Sequence, residues 1–287
     1  MYRILLSLIK KIIDIMTLLI AKIIIFFEII YGKKGTLFLK ESIEKNLSLT
    51  LENEGIIFDI SHKGLYYRAS TLITKEPDTI EWINNFFKKG EVFYDIGANI
   101  GVFSLYAASK KHVKVYAFEA ESSNYSYLNK NINLNGLEEE IVALNIAIND
   151  VNIVSHLNLS SISEGAALHN FHNDIDQEHK QFKPVFKQGL LGLSLDYIID
   201  KLNVDAPNHI KIDVDGAEHR IINGAIKLLS NNNLKTICIE INPRLELDLE
   251  VVNILNECGF SLLKGEKYLN KECVKNKQPY NMFFVRE

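Results

Sequence analysis

Cysteine is scarce in this chain: three in 287 residues, Cys238, Cys258 and Cys273, far apart and in no C-x-x-C pair. That excludes a disulfide framework and a cysteine-rich zinc site, and it suits a catalytic part in a reducing compartment. Five prolines and 15 glycines, without repeats or low-complexity tracts, exclude collagen-like, mucin-like and largely disordered chains. Also missing is an uncharged apolar run near the ~18 to 20 residues of a spanning helix. In MYRILLSLIKKIIDIMTLLIAKIIIFFEIIYGKK the charges at Lys10, Lys11, Asp14, Lys22 and Glu28 interrupt every such run. No small-residue cleavage site follows, so the stretch does not read as a removable secretory signal. Positive charge is short over most of the chain. Residues 1–35 hold six bases against two acids, so with a formal net charge of −4 overall, residues 36–287 carry −8. An acidic body disfavours a nucleic-acid partner, because sequence-independent binding is driven by neutralising phosphates.

What is present is a core: 47% hydrophobic and 24% charged residues suffice for one or two full-size domains. In residues 1–35, Arg3, Ser7, Lys10, Asp14, Thr17, Ala21 and Glu28 recur at helical spacing and make one narrow polar stripe among Ile, Leu and Phe. An amphipathic helix of this kind, with net positive flanks, suits the cytoplasmic face of a membrane through residues 1–31; packing on the rest of the protein or on a second copy is the alternative. Residues 36–77 alternate apolar and polar (Leu37, Leu39; Leu47, Leu49, Leu51; Ile56, Phe58, Ile60) and read as a small β-rich cap with turns near Gly55 and Gly64.

From residue 78 to 287 strands and helices take turns. Pro77, Asp78 and Glu81 suggest a capping-box start to a helix whose Trp82, Phe86 and Phe87 are core. Strand EVFYDI (91–96) leads to a helix from about Asn99, VKVYAFE (113–119) to a helix over 122–134, and IVALNIAI (141–148) follows. HIKIDV (209–214), a helix over 217–229, KTICIEI (235–241) and a helix over 246–257 resume the pattern, which means a parallel sheet. SLLK and YNMFFVRE should close it as an antiparallel pair at the edge. Between Asn149 and Leu193, VNIVSHLNL reads as one strand of a lid or acceptor-binding insertion.

The chemistry centres on VFYDIGANIG, a buried strand ending in Asp95, a turn through Gly97 and Ala98, and a helix start near Asn99 and Gly101. Such a turn lets a nucleotide approach the backbone and the free N–H groups of a helix start. A dinucleotide dehydrogenase wants a second glycine where Asn99 stands, and Asp95 would repel a pyrophosphate. Glu119 follows 22 residues beyond Gly97, where an acid accepts hydrogen bonds from both ribose hydroxyls. Two acids and a glycine turn describe an adenosine carrying a positive group, as in S-adenosylmethionine.

The run D-I-G-A-N-I-G, Glu119 in YAFEA, LSLDYIIDKL (193–202) and KIDVDGAE (211–218) resemble the FkbM-type family of S-adenosylmethionine-dependent methyltransferases, over roughly residues 78–245. The resemblance implies an α/β fold with a Rossmann-like class I methyltransferase sheet, mostly parallel, of seven strands with the last antiparallel and helices on both faces. It implies O-methylation, with sugars and natural products among the acceptors. Carried over, Asp95, Gly97, Asn99 and Gly101 would form the methionine-side loop, Glu119 would hold the ribose, the backbone around Ala147 would face the adenine, and Asp213 would face the transferred methyl as the catalytic residue. The chain departs from the family at Ala120, where proline is usual, and at Asp215, where glutamate is usual. Asp213, Asp215 and Glu218 could instead hold a divalent cation, although 218 belongs to the next helix, where an acid favours the macrodipole. His169, His172 and His179, with Asp174, Asp176 and Glu178, read as a solvated loop and acceptor-contact candidates. Glu240 could line the cleft. The expected acceptor is a glycan, glycolipid precursor or related small molecule; a nicotinamide-dependent oxidoreductase and a non-catalytic membrane-attached module are the competing readings.

Overall fold

The computed structural model describes residues 2–166, 169–171, 183–214, 216–263 and 278–286. The chain divides into two compact units, Met1–Ser48 and Leu49–Glu287. The first is helical. Tyr2–Tyr31 (α1) ends where Gly32 takes a φ of +64°, and Lys33–Glu44 (α2) follows. Leu8, Ile12, Ile15, Leu19, Ile23 and Phe26 of α1 are exposed or half-buried within this unit. Among the described residues no helix is long and apolar enough to cross a membrane.

A hairpin of Ser48–Leu51 (β1), whose first residue ends the first unit, and Ile56–Asp59 (β2) comes next, then the helices Lys63–Ser70 (α3), Leu72–Lys75 (α4) and Pro77–Phe86 (α5). The strand reading of residues 36–77 therefore holds only for these two strands. Around Leu37 and Leu39 the Lys, Leu and Glu residues are good helix formers, and no neighbouring strand is there to override that preference. Gly64 lies inside α3 rather than at a turn. Its missing Cβ admits the carbonyl oxygen of Glu164, which would sit 2.1 Å from that atom. The capping box does not form at α5 either: Glu76 is the N-cap, and Asp78 accepts the N–H of Thr79 at 2.9 Å.

Val92–Ile96 (β3), Val102–Lys111 (α6), Lys114–Phe118 (β4), Ser122–Asn135 (α7) and Ile141–Leu144 (β5) come next. Helix α6 starts at Val102 and not at Asn99, because Asn99 (φ +52°) and Gly101 (φ +86°) both take left-handed backbone. Ala147–Ile148 (β6) and the insertion strands Ile153–Leu159 (β7), Asn170–Phe171 (β8) and Phe186–Leu193 (β9) form their own sheet in the order β6-β9-β7-β8. Residues 141–148 thus break between two sheets. Leu195–Lys201 (α8), His209–Ile212 (β10), Glu218–Asn223 (α9), Ile226–Leu229 (α10), Thr236–Ile241 (β11), Glu246–Glu257 (α11), Phe260–Leu262 (β12) and Tyr280–Arg286 (β13) complete the chain.

The main sheet has the order β12-β13-β11-β10-β3-β4-β5, with β13 antiparallel between β11 and β12. Strand alternation assigns its two faces. Phe93, Val115, Ala117, Cys238 and Phe283 pack with Trp82, Leu105 and Leu128 of α5, α6 and α7. Tyr94, Ile96, Ile210, Ile212 and Ile239 pack with α8, α9 and α11 on the other side. The chain runs outward from β3 through β4 to β5 and then returns to β10 on the opposite flank. The order of strands therefore reverses between β3 and β10, and a crevice opens at their carboxyl ends.

Candidate active site

At that crevice the backbone ladders run past the ends of the strands. The N–H of Asp213 donates to Ile96 O at 3.0 Å, those of Gly97 and Ala98 donate to Phe118 O at 2.9 and 3.0 Å, and that of Glu119 donates to Leu144 O at 3.1 Å. Gly97, Glu119 and Asp213 are brought side by side in this way. They line a cleft of about 220 Å³ together with Asn99, Ala147 and Glu240. Gly97 has a φ of +83°, and a Cβ there would lie 1.9 Å from Asp213 O. Only glycine makes this turn without pushing β10 away from β3.

Glu119 is buried and carries one backbone N–H on each carboxylate oxygen, Asn99 N–H at 2.7 Å and Glu121 N–H at 2.8 Å. Burial nevertheless pushes its carboxyl up to about 7, against those two bonds. Asn145 fixes the strand end by donating to Glu119 O and Ala120 O at 2.8 and 3.0 Å. Glu121 caps α7, accepting the N–H groups of Ser123 and Asn124 at 2.9 and 2.6 Å. The carboxylate that ends β4 is thus distinct from the one that starts the helix.

Burial alone would raise the Asp213 carboxyl, but the Lys211 ammonium 2.6 Å away outweighs it and holds the acid below the usual carboxylate range. Lys211 is itself fully buried. Burial opposes its charge, and Asp213 with Glu76 (3.8 Å) more than restores it. Glu218, the first residue of α9, turns its carboxylate back to the N–H groups of Val214 and Gly216 at 3.1 and 2.9 Å and so closes the loop after β10.

Asp95 and Gly101 are not among the residues that line the cleft. Asp95 lies two residues before the turn, on the face of β3 that packs against α6, and Ser104 Oγ donates to its carboxylate at 2.6 Å. Burial raises its carboxyl, with Lys211 and Ser104 offsetting part of the rise. Gly101 instead faces Leu105 and Leu128. His169 does line the cleft, and burial lowers its imidazole pKa. Asp215, His172, Asp174, Asp176, Glu178 and His179 lie outside the described residues.

Several lining residues carry no signal in the sequence motifs. Arg68, Lys75 and Glu76 come from the segment read as strands, and Leu157 and Phe171 come from the insertion sheet. Ala166 of the insertion also lines the cleft, and the Gly165–Ala166 loop is tied to the rest of the site. Asn124 accepts the N–H of Gly165 at 2.9 Å and donates to Ala166 O at 3.0 Å, and Asn99 donates to the same oxygen at 3.1 Å. Helical periodicity could have found Arg68. Asn124 could not have been found, because its partner is 41 residues away.

The residues present fit S-adenosylmethionine. The glycine turn is a cradle that a Cβ would fill. Glu119 offers carboxylate oxygens suited to ribose hydroxyls, and Ala147, Ile148, Leu157 and Phe171 make an apolar wall for a base. The buried Nε2 of His169 has no hydrogen-bond partner among the described residues. Strand order and site together define a class I methyltransferase with S-adenosylmethionine as its cofactor. A family model described as the methyltransferase FkbM domain matches residues 95–262, and the chain belongs to that family.

A curated relative, the tRNA (guanine(37)-N(1))-methyltransferase of Dictyostelium discoideum, is 28% identical over 107 residues, which is 37% of this chain and 22% of the relative. The chain therefore spans about a fifth of that protein's length. Among solved structures, Trm5b of Pyrococcus abyssi is similar with a TM-score of 0.45 at 15% identity, covering 83% of this chain and 56% of that one. The precorrin-6y C5,15-methyltransferase of Geobacter metallireducens gives 0.44 at 14%, covering 76% and 92%. These are distant likenesses, and the fold rests on the strand order itself.

Proposed function

We propose that the protein methylates a hydroxyl oxygen of a glycan, a glycolipid precursor or a related small molecule, and that α1 holds it at the inner face of the cytoplasmic membrane. The observation that carries the first part is the Asp213 carboxylate, kept ionised by Lys211 at the carboxyl end of β10 and lining the cleft beside Gly97. When bound, the cofactor supplies a methyl group already activated on a sulfonium, so the protein's task is placement. Gly97 and Asn99 border the methionine end, Glu119 holds the ribose, and the backbone around Ala147 faces the base. Asp213 accepts the hydrogen bond of the acceptor hydroxyl and orients its oxygen. With its low proton affinity this carboxylate passes the proton on to solvent rather than keeping it.

The acidic body, −8 over residues 36–287, supports a neutral or lipid-linked acceptor over a nucleic acid. The +4 of residues 1–35 and the exposed Ile, Leu and Phe of α1 support an interfacial helix on anionic lipid. The test is a turnover screen with methyl-labelled cofactor against fractionated envelope glycans and glycolipids, with transfer RNA in parallel. Label in a base-stable methyl ether of the glycan fraction is the expected result; label in RNA alone would overturn the reading.

A further inference from the structure

The cofactor's amino-acid end carries a carboxylate as well as an ammonium, and a cleft crowded with acids must still provide for it. Among the described residues three cations stand at the cleft or at the small pocket continuous with it, Arg68, Lys75 and Lys211. Lys211 is committed to Asp213 at 2.6 Å, and Lys75, on the exposed side, pairs with Glu76 at 3.2 Å. Arg68 is half-buried. Its Nε donates to Gly165 O at 3.3 Å, and no carboxylate among the described residues lies within ion-pair distance of it.

Arg68 lines both the main cleft and the small pocket, and in both it shares the wall with Gly97, Asn99 and Asp213. Its charge favours the ionised forms of Glu119 and Asp213 alike. The base-facing wall of Ala147, Leu157 and Phe171 belongs to the main cleft alone, so the small pocket lies away from it. A guanidinium offers two parallel N–H donors that match a carboxylate, and here one edge is held by Gly165 while the rest is left for a ligand.

We propose that Arg68 is the counter-charge for the α-carboxylate of the cofactor's amino-acid moiety. The inference rests on the reading of Gly97 and Asn99 as the methionine-side loop. It makes the helix pair α3–α4, which belongs to no recognised motif, part of the cofactor site.

Calorimetry with S-adenosylhomocysteine and with 5′-methylthioadenosine, which keeps the nucleoside and lacks the amino acid, tests it on the full chain. In Arg68→Met the affinity for S-adenosylhomocysteine should fall about 10- to 100-fold, the loss expected for a charged hydrogen bond, while 5′-methylthioadenosine binds as before. Arg68→Lys should recover part of the loss. Equal weakening of both ligands would mean that Arg68 only anchors the Gly165 loop, and unchanged binding of both with a raised acceptor KM would assign it to the acceptor; either result overturns the proposal. Failure of both ligands to bind the unaltered protein would instead overturn the reading of the loop itself.

Discussion

Glu119 sets the pH response of the cofactor site. Its neutral form is favoured by burial, and in the proposed site its ionised form would accept the ribose hydroxyls, so binding should compete with protonation near pH 7. Affinity for S-adenosylhomocysteine should rise as the pH goes from about 6 to about 8 and then level off. In Glu119→Gln the profile should be flat and binding weaker by about tenfold; calorimetry across that range checks both. Gly97→Ala should fail differently. The added Cβ meets Asp213 O at a left-handed φ, so both cofactor affinity and thermal stability should drop, the latter by more than about 2 kcal/mol. A Gly97→Ala protein with an unchanged melting temperature would show that the turn relaxes freely. Both residues are legible in the sequence, because a glycine turn followed by an acid at a fixed distance is a local pattern. Asp95 is legible as an acid and not as a position: alternation along β3 directs its carboxylate under α6 to Ser104.

Two elements show how far local patterns reach. The loop at Gly165–Ala166 is held by Asn124 and Asn99, residues of two other segments. Asn124→Ala removes two of those bonds, so amide exchange at Gly165 and Ala166 should quicken and S-adenosylhomocysteine should bind more weakly, while α7 keeps its Glu121 cap. At the amino ends of the strands, opposite the cleft, β10 begins with His209, fully buried, stacked on Phe87, and bonded to Thr236 Oγ1 at 2.7 Å and Glu91 Oε2 at 2.8 Å. Trp82 donates to the same Thr236 oxygen, and Lys235 pairs with Glu91. Burial lowers the His209 pKa to about 4, with Glu91 offsetting part of the fall. The unfolded chain therefore takes up this proton first. The stability that neutral His209 contributes is present above about pH 6.5 and is lost as the pH falls toward about 4. The imidazole should titrate near 4 by NMR in the folded protein; a midpoint near its ordinary value would show an open site. Periodicity identifies β10 and α5, but not that they share one hydrogen-bonded network, whose partners are 27 to 154 residues apart.

At the scale of the whole molecule the chain is electrically two-sided, +4 over residues 1–35 and −8 beyond. The exposed apolar residues of α1 should bring the full-length protein up with anionic vesicles in a flotation assay, less so with neutral ones and less in high salt. Deleting residues 1–31 should abolish flotation and leave cofactor binding by the remainder within about twofold, since residues 95–262 carry the family match. Flotation that persists after the deletion would remove α1 from the interface.

The sequence by itself determined the alternation of strands and helices, the glycine turn, the acid that ends the second strand and the narrow polar stripe of residues 1–31. Each depends on spacing within a few residues, where backbone geometry alone decides what a side chain faces. Tertiary structure alone decided that 141–148 divides between two sheets, that Lys211 holds Asp213 ionised, and that Arg68 lines the cleft. Those outcomes depend on burial and on partners distant in the chain, and neither exists until the sheet has closed.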